Sequence, residues 1–325
     1  MRIAVIAPAD IAVRRFLPAL SGMKDAEFAG VGTDPQRSGQ KEKAYSLTQQ
    51  YGGRVFDSYE EAVLTPEADA VYIPLPPALH YRWAIKALGA GKHVLVEKPS
   101  GISLQESTSM VSLAREKKLC LQENYMFRYH RQIRAIDDLL SSGEIGNIRL
   151  YRISFGFPRR KADDFRYDKE MGGGALLDAG GYVLHYADHL LGEDARVVYA
   201  CLNREDPEGI DLYGSAAMVS PDGRTAQLSF GMDNEYRCEL EVWGSKGILT
   251  TGRVLTAPAG FVPTARIVRG GQEKIISLPA DDAFARSIEA FIRGASDRAL
   301  QEKNALSIVR QAGLVDSVRS ECGSI

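Results

Sequence analysis

Lys98, Asp178 and Tyr182 combine side-chain types and positions that suit proton transfer. Lys98 ends an apolar run and precedes Pro99, whereas Asp178 and Tyr182 lie four residues apart after a run of glycines. Reduction of a ketone by a hydride donor needs a proton for the developing alkoxide, from a group within hydrogen-bond reach of that oxygen. A tyrosine donates this proton more readily beside a cation. We therefore predict that Tyr182 is the proton donor, and that Lys98 assists it and binds the carbonyl oxygen.

Each of these residues also has a structural interpretation. Asp178 lies one helical turn before Tyr182. In the functional interpretation it accepts a hydrogen bond from a substrate hydroxyl or holds Lys98. In the structural interpretation it caps the following helix. Tyr182 can pack at a helix start, and Lys98 can be a solvated strand end. His185 and His189 have the spacing at which two histidines of one helix bind zinc. No acidic or cysteine partner accompanies them at a recognised spacing, so no metal is predicted.

The first third of the chain alternates apolar strands with helical stretches, the pattern of a parallel sheet covered by helices on both faces. The predicted strands are residues 2–6, 27–32, 68–74, 92–96 and 119–122. The predicted helices are residues 11–23, 41–51, 80–90 and 104–117. The expected fold is α/β, with an N-terminal Rossmann-type doubly wound sheet that binds its ligand beyond the carboxyl ends of the strands.

The pattern changes after about Asn124. From Leu191 to Leu278 most runs are typical of strands separated by glycine turns, which predicts an α+β domain with a large, mostly antiparallel open sheet. Two helices close the chain. We predict a dinucleotide-binding domain of residues 1–122 and a substrate-binding and oligomerisation domain of residues 123–325, whose sheet forms the interface of a homodimer or homotetramer.

The turn after the first strand is where a dinucleotide pyrophosphate binds such a sheet, because backbone N–H groups and a helix N-terminus face the phosphates there. Alanine replaces both leading glycines of G-x-G-x-x-G/A in the run A-P-A-D-I-A, residues 7–12. The missing N–H of Pro8 and the carboxylate of Asp10 also depart from the pattern. Cofactor contacts are expected from Ala7, Pro8, Ala9, Asp10 and Ile11. An ordinary strand-to-helix turn is an equal interpretation.

Three later segments are more specific. They read V-Y-I-P-L-P-P-A-L-H at residues 71–80, A-L-G-A-G-K-H-V-L-V-E-K-P at residues 87–99 and G-G-G-A-L-L-D-A-G-G-Y at residues 172–182. Together they resemble the Gfo/Idh/MocA family of oxidoreductases, named after glucose-fructose oxidoreductase and inositol dehydrogenase, many of whose members have histidine in place of Tyr182. The resemblance implies cofactor contacts from the loop and strand-end residues Pro74, Leu75, Pro76, His80, Glu97 and Lys98. His80 and Glu97 also suit structural roles, at a helix start and in orienting a helix.

Within the family, the chain is most similar to NDP-hexose 3-ketoreductases of deoxysugar biosynthesis. This likeness rests on residues 123–127, 163–167 and 253–258 and on Tyr182. It implies a nucleotide-sugar substrate contacted by residues of the second domain, namely Asn124, Tyr125, Phe127, Arg128, Phe165, Arg166, Tyr167 and His185. In the loop at residues 159–167, the aromatic side chains can stack on a nucleobase and the cations can neutralise a diphosphate. The alternative is a charged loop exposed to solvent.

The end of the second strand bears on the choice between NADP and NAD, because an acidic residue there favours a free ribose hydroxyl and a basic one favours the 2′-phosphate. Thr33, Asp34, Arg37 and Ser38 are the candidate contacts in this segment. Asp34 is compatible with NAD, whereas Arg37 and Ser38 suit NADP. The resemblance favours NADPH.

Composition excludes several other classes. The chain has 40 Lys and Arg against 42 Asp and Glu, a net charge of -2 that offers no global attraction to nucleic acid or to an anionic membrane. With four cysteines and no signal-peptide pattern, a cytoplasmic location is expected. The predicted activity is NAD(P)-dependent reduction of a 3-keto group on a nucleotide-linked deoxysugar. The alternatives are oxidation of a nucleotide sugar, free sugar or inositol, and a non-catalytic dinucleotide sensor.

Overall fold

The computed structural model describes residues 1–206 and 208–322, which form two compact units. The first unit holds Met1–Tyr125 and Phe284–Ala312, and the second holds Met126–Ala283 and the chain from Gly313 onward. Residues 123–125 and 284–312, assigned by sequence to the second domain, therefore pack in the first compact unit. The functional division between residues 122 and 123 stays a prediction.

The first unit contains a six-stranded parallel sheet in the order β3-β2-β1-β4-β5-β6. Its strands are β1 (Arg2–Val5), β2 (Glu27–Gly32), β3 (Arg54–Phe56), β4 (Ala70–Ile73), β5 (His93–Val96) and β6 (Leu121–Glu123). This is the doubly wound order, and it confirms the predicted Rossmann-type sheet. Every residue of β4 is buried, as expected for a strand covered on both faces.

Five α-helices of this unit precede its last strand. They are α1 (Leu17–Ser21), α2 (Gln40–Tyr51), α3 (Tyr59–Leu64), α4 (Pro77–Gly89) and α5 (Leu104–Lys117). A π-helical turn at Ala12–Phe16 leads into α1, where the sequence predicted one continuous helix. Strand β3 and helix α3 were not predicted, because three and six residues are too few to show a clear period.

The second unit contains an eight-stranded sheet in the order β14-β13-β12-β11-β7-β10-β9-β8. Its strands are β7 (Ile148–Gly156), β8 (Arg196–Arg204), β9 (Asp211–Val219), β10 (Thr225–Gly231), β11 (Arg237–Gly244), β12 (Ile248–Gly252), β13 (Thr264–Arg269) and β14 (Gln272–Ser277). All neighbours are antiparallel except β7 and β10, which confirms the predicted mostly antiparallel sheet.

Helix α7 (Gly181–Leu191) packs on strands β7 and β10, and α6 (Arg131–Ser141) precedes β7. Strand residues alternate between this covered face and an exposed face, as Leu240 and Glu241 do in β11. Helices α8 (Ala283–Gly294) and α9 (Arg298–Cys322) close the described chain. In the described ranges, no helix is long and apolar enough to cross a membrane.

Candidate active site

The turn after β1 has the tight geometry of a phosphate-binding turn despite its alanines. The Ala9 N–H donates to the Ala7 carbonyl oxygen at 2.8 Å, and helical structure begins at Asp10. The first N–H groups of a helix have no partner within the helix and can receive an anion. The exposed Asp10 carboxylate lies 3.4 Å from the Lys43 ammonium, which offsets its negative charge. The turn therefore fits a pyrophosphate.

The end of β2 brings together the residues predicted to select the cofactor. Thr33 is buried, and its hydroxyl donates to the Phe56 carbonyl oxygen at 2.9 Å. The half-exposed Arg37 guanidinium lies 3.6 Å from the Asp34 carboxylate, and Ser38 is exposed. Because Asp34 and Arg37 are paired, the cation and the carboxylate occupy the same part of this turn. The Arg37 side chain is 51% exposed and that of Asp34 is 29% exposed, and their contacts with the cofactor stay predictions.

Lys98 follows β5, with Glu97 before it and a cis peptide bond to Pro99 after it. Glu97 accepts hydrogen bonds on one carboxyl oxygen from Tyr72 Oη at 2.7 Å and from Asn124 Nδ2 at 2.6 Å. Burial raises the pKa of Glu97, whereas these two hydrogen bonds and the charge of Lys98 act to lower it. The Glu97 carboxyl group is therefore engaged inside the first unit, and its predicted cofactor contact stays a prediction.

The loop after β4 places Pro74 and Leu75 in the buried part of the first unit, with Pro76 and Lys98 half-buried. His80, in the first turn of α4, is fully buried against carbonyl oxygens of this loop and of Pro99. Burial lowers the pKa of His80 to about 4. Both ring nitrogens contact the main chain, which favours the structural role that the sequence left open for this residue.

In the second unit, the glycine-rich turn leads into a π-helical turn, Leu176–Gly180, and then directly into α7. Gly174 has a φ of +118°, and a Cβ there would lie 2.5 Å from Asp211 Oδ1. The other oxygen of Asp211 accepts the Leu176 N–H at 2.6 Å. Burial raises the pKa of the Asp211 carboxyl group. Glycine at position 174 thus lets Asp211 reach the start of the segment that carries Asp178 and Tyr182.

Asp178 pairs with Arg166, a contact that sequence spacing does not reveal. Arg166 Nε lies 2.7 Å from Asp178 Oδ2, and Arg166 Nη1 lies 3.0 Å from Asp164 Oδ1. All three side chains are about one-fifth exposed or less. Arg166 also lies over the Phe165 ring at 4.5 Å. The guanidinium therefore holds the Asp178 carboxylate in place, and the predicted contact of Asp178 with a substrate hydroxyl stays a prediction.

Tyr182 lies in an aromatic cluster with Phe127, Phe155 and His185. Its ring centroid is 5.8 Å from Phe127 and 5.3 Å from Phe155, and Phe127 in turn contacts the His185 ring at 5.8 Å. The Tyr182 hydroxyl lies 3.8 Å from the sulfur of Met126. Tyr182 is 8% exposed, so its ring is held by packing while a small part of it reaches solvent.

The remaining predicted substrate residues have varied surroundings. Asn124 and Tyr125 are buried in the first unit, where Tyr125 Oη accepts from Gln311 at 3.3 Å. Arg128 lies over the Tyr129 ring at 5.3 Å, and Tyr167 Oη accepts the Arg160 N–H at 2.8 Å. Among the described residues, no three His, Cys, Asp or Glu side chains group closely enough to hold a metal ion. The predicted contacts of these residues with substrate stay predictions.

A doubly wound sheet whose first strand leads through a tight turn into a helix is the architecture of dinucleotide-binding domains. Residues 1–125 match the family described as "Oxidoreductase family, NAD-binding Rossmann fold", and residues 133–250 match the "GFO/IDH/MocA C-terminal domain". The chain belongs to the GFO/IDH/MocA oxidoreductase family, which confirms the resemblance seen in its motifs.

Three similar proteins each match nine-tenths or more of this chain. A dTDP-3,4-didehydro-2,6-dideoxy-alpha-D-glucose 3-reductase of Streptomyces violaceoruber is 42% identical, over 98% of this chain and 94% of its own length. A 3-ketoreductase of Actinomadura kijaniata, solved with NADP and TDP-benzene, is 39% identical with a TM-score of 0.92, over 99% of this chain and 97% of its own. A D-xylose 1-dehydrogenase (NADP+) of Haloferax volcanii is 29% identical, over 90% of this chain and 88% of its own length.

Proposed function

We propose that this protein is an NADPH-dependent reductase of the 3-keto group of a nucleotide-linked deoxysugar. The observation that carries the proposal is the 42% identity, along nearly the whole chain, to the Streptomyces violaceoruber 3-reductase. The matching ketoreductase from Actinomadura kijaniata was solved with NADP and a TDP ligand, which supports both the cofactor and the nucleotide. By this likeness, the substrate is a dTDP-linked 3,4-didehydro-2,6-dideoxyglucose.

In the proposed reaction, a hydride adds to C3 of the sugar and a proton adds to its oxygen. Ketone, NADPH and a proton are thereby converted to alcohol and NADP+. Bound NADPH supplies the hydride. The turn at residues 7–11 would hold its pyrophosphate through backbone N–H groups, and Arg37 would bind the 2′-phosphate.

The chain's own side chains carry the proton chemistry in this proposal. The Tyr182 hydroxyl donates its proton to the carbonyl oxygen, and the Lys98 ammonium donates a hydrogen bond to the same oxygen as negative charge develops. Asp178, held by Arg166, accepts a hydrogen bond from a sugar hydroxyl. The Actinomadura kijaniata relative has also been solved as a variant with one lysine replaced and as a variant with one tyrosine replaced. Lysine and tyrosine are the residue types to which this proposal gives the proton chemistry.

The test combines binding and turnover. Fluorescence titration of the purified protein with NADPH and NADH should show tighter binding of NADPH. NADPH oxidation should then depend on the dTDP-linked 3-keto sugar, with the 3-hydroxy product identified by mass spectrometry and NMR. Binding of neither dinucleotide would overturn the enzyme assignment and favour the non-catalytic alternative, for which the Ala7–Ala9 turn is the supporting observation.

Oxidation of a sugar is the second candidate, and the Haloferax volcanii D-xylose dehydrogenase favours it. Incubation with NADP+ and D-xylose, inositol or a nucleotide sugar distinguishes the two directions. Faster NADP+ reduction by a free sugar than NADPH oxidation by the keto sugar would contradict the ketoreductase proposal.

A homodimer or homotetramer formed through the exposed face of the second unit's sheet is part of the proposal. On this face, Arg152 pairs with Glu241 at 2.8 Å and lies over the exposed Trp243 ring at 5.8 Å. An ordered polar face with an exposed tryptophan suits self-association. Sedimentation velocity should show an oligomer that Trp243→Glu dissociates and that Tyr45→Glu, at an exposed tyrosine of α2, leaves intact. A monomeric wild type would contradict this. The cytoplasmic location stays a prediction.

A further inference from the structure

A chain of buried polar groups crosses the first unit and ends at the residue before Lys98. Gln122 Nε2 donates to Ser287 Oγ at 3.0 Å, Ser287 Oγ donates to Asn124 Oδ1 at 2.7 Å, and Asn124 Nδ2 donates to Glu97 at 2.6 Å. Gln122, Ser287 and Asn124 are each 1% exposed or less. Burying a polar group costs free energy unless it is hydrogen-bonded, so these hydrogen bonds fix the positions of the linked side chains.

The donors of this chain all point toward Glu97. A serine hydroxyl has one proton, so Ser287 donates to Asn124 while it accepts from Gln122. The Asn124 amide oxygen is thereby occupied, which leaves its N–H₂ group to face the Glu97 carboxyl oxygen. Tyr72 donates to that same oxygen at 2.7 Å. One oxygen of the Glu97 carboxyl group thus accepts two side-chain hydrogen bonds, which fix its orientation.

The same asparagine also anchors the main chain beside this carboxylate. The Asn124 N–H donates to the Val96 carbonyl oxygen at 2.9 Å, at the end of β5. Asn124 therefore holds two consecutive residues, Val96 by its backbone and Glu97 by its side chain. Lys98 is the next residue, so the position of its main chain depends on this double contact.

We propose that Asn124 and Ser287 are positioning residues, which hold the Glu97 carboxyl group and the end of β5 in place and thereby set the placement of the adjacent Lys98 ammonium. The proposal rests on the proposed function for the catalytic role of Lys98. It assigns Asn124 a role inside the first unit, in place of the substrate contact predicted from sequence. It also gives a role to Ser287 of α8, which no sequence motif indicated.

Ser287→Ala tests the relay with little change in volume, and Ser287→Thr keeps the hydroxyl. The expected result is that kcat with NADPH and the keto sugar falls about tenfold in Ser287→Ala, as for the loss of one buried hydrogen bond. The KM for NADPH should stay within about twofold of the wild-type value, and Ser287→Thr should recover most of the rate. Asn124→Leu should lower kcat at least as far as Ser287→Ala.

Asn304→Ala is the matched control, since Asn304 is also a buried asparagine of this unit but bonds the Cys120 thiol. It should lower the melting temperature without lowering kcat. Unchanged kcat in Ser287→Ala and Asn124→Leu, or an equal loss in Asn304→Ala, would overturn the positioning role.

A second measurement is independent of turnover. Competitive acetylation, read by mass spectrometry, should change the rate at which Lys98 is modified in Ser287→Ala relative to the wild type, because Asn124, which holds the neighbouring Glu97, loses a hydrogen bond. Lys92, which donates to the Thr65 and Ala68 carbonyl oxygens, is the internal reference. If the wild type reduces no keto sugar, the proposed function fails while this labelling still tests the relay. An unchanged Lys98 labelling rate would then overturn the relay.

Discussion

The imidazole of His80 lies 2.7 Å, through Nδ1, from the carbonyl oxygen of Pro99. Its other nitrogen lies 2.6 Å from the Leu75 carbonyl oxygen, and the residue is fully buried. One ring therefore contacts both the loop after β4 and the residue after Lys98. This position gives His80 a structural function at the edge of the sheet, while its predicted contact with the cofactor stays a prediction.

Acid should destabilise the protein through His80. Burial lowers its pKa to about 4 from an ordinary 6.5, so the unfolded chain binds the proton more readily than the folded one. The stabilisation from a neutral His80 is complete above about pH 6.5 and is lost as the pH falls toward about 4, with a total of about 3 kcal/mol. Urea unfolding of the wild type and of His80→Gln between about pH 4 and pH 6.5 measures this pH dependence of the free energy of unfolding. The same pH dependence in both proteins would contradict the assignment.

Tyr182→Phe should abolish most of the proposed reductase activity with little effect on folding. Loss of a general acid lowers kcat by about 100-fold or more. The ring packing against Phe127 and Phe155 is kept in this variant, so the melting temperature should change little. Steady-state kinetics and thermal unfolding measure the two effects.

Tyr186→Phe is the matched control on the same helix. The Tyr186 hydroxyl is buried, and within the described chain it has no hydrogen-bond partner, so its removal should not destabilise the protein. The activity of this variant should equal that of the wild type. Equal activity of Tyr182→Phe and Tyr186→Phe would show that Tyr182 is not the proton donor.

Arg37 should select NADPH over NADH. Its half-exposed guanidinium beside Asp34 is placed at the end of β2, where the 2′-phosphate distinguishes the two cofactors. Arg37→Gln should weaken NADPH binding about tenfold, the scale of one charge-assisted contact. Fluorescence titration with NADH provides the control, since NADH lacks the phosphate and its affinity should be unchanged. An equal loss for both cofactors would indicate a general change in the turn.

Arg166 should contribute to stability and to activity together. Arg166→Met leaves the Asp178 and Asp164 carboxylates, both largely buried, without their shared cation. We expect the free energy of unfolding to fall by about 2 kcal/mol, less than for a fully buried pair because some solvent reaches the group. The kcat/KM for the keto sugar should fall as well. Chemical denaturation and steady-state kinetics check both.

Arg159→Met is the control for that prediction. Arg159 belongs to the same loop and pairs with Glu205 at 3.0 Å, but both side chains are exposed, so its replacement should leave stability and kcat/KM unchanged. Similar effects of Arg159→Met and Arg166→Met would mean that total loop charge matters and the Asp178 contact does not.

Local patterns in the sequence predicted much of the fold. The bounds of β2 and α5 were predicted to the residue, because a buried apolar run and a capped amphipathic stretch are both properties of consecutive residues. The short β3 and α3 were not predicted, because they contain too few consecutive residues to show a period. The family itself was recognisable from contiguous motifs, including the one that ends at Pro99.

The sequence by itself determined the strands, the turns that end them and the types of side chain placed there, including Lys98, Asp178 and Tyr182. Only the tertiary structure decided which partners surround those side chains. Ser287 and Asn124 lie 163 positions apart, and Arg166 and Asp178 lie 12 apart across an irregular loop. Such pairs form because packing brings distant elements within hydrogen-bond distance, where a buried polar group must find a partner. No periodicity along the chain encodes that distance.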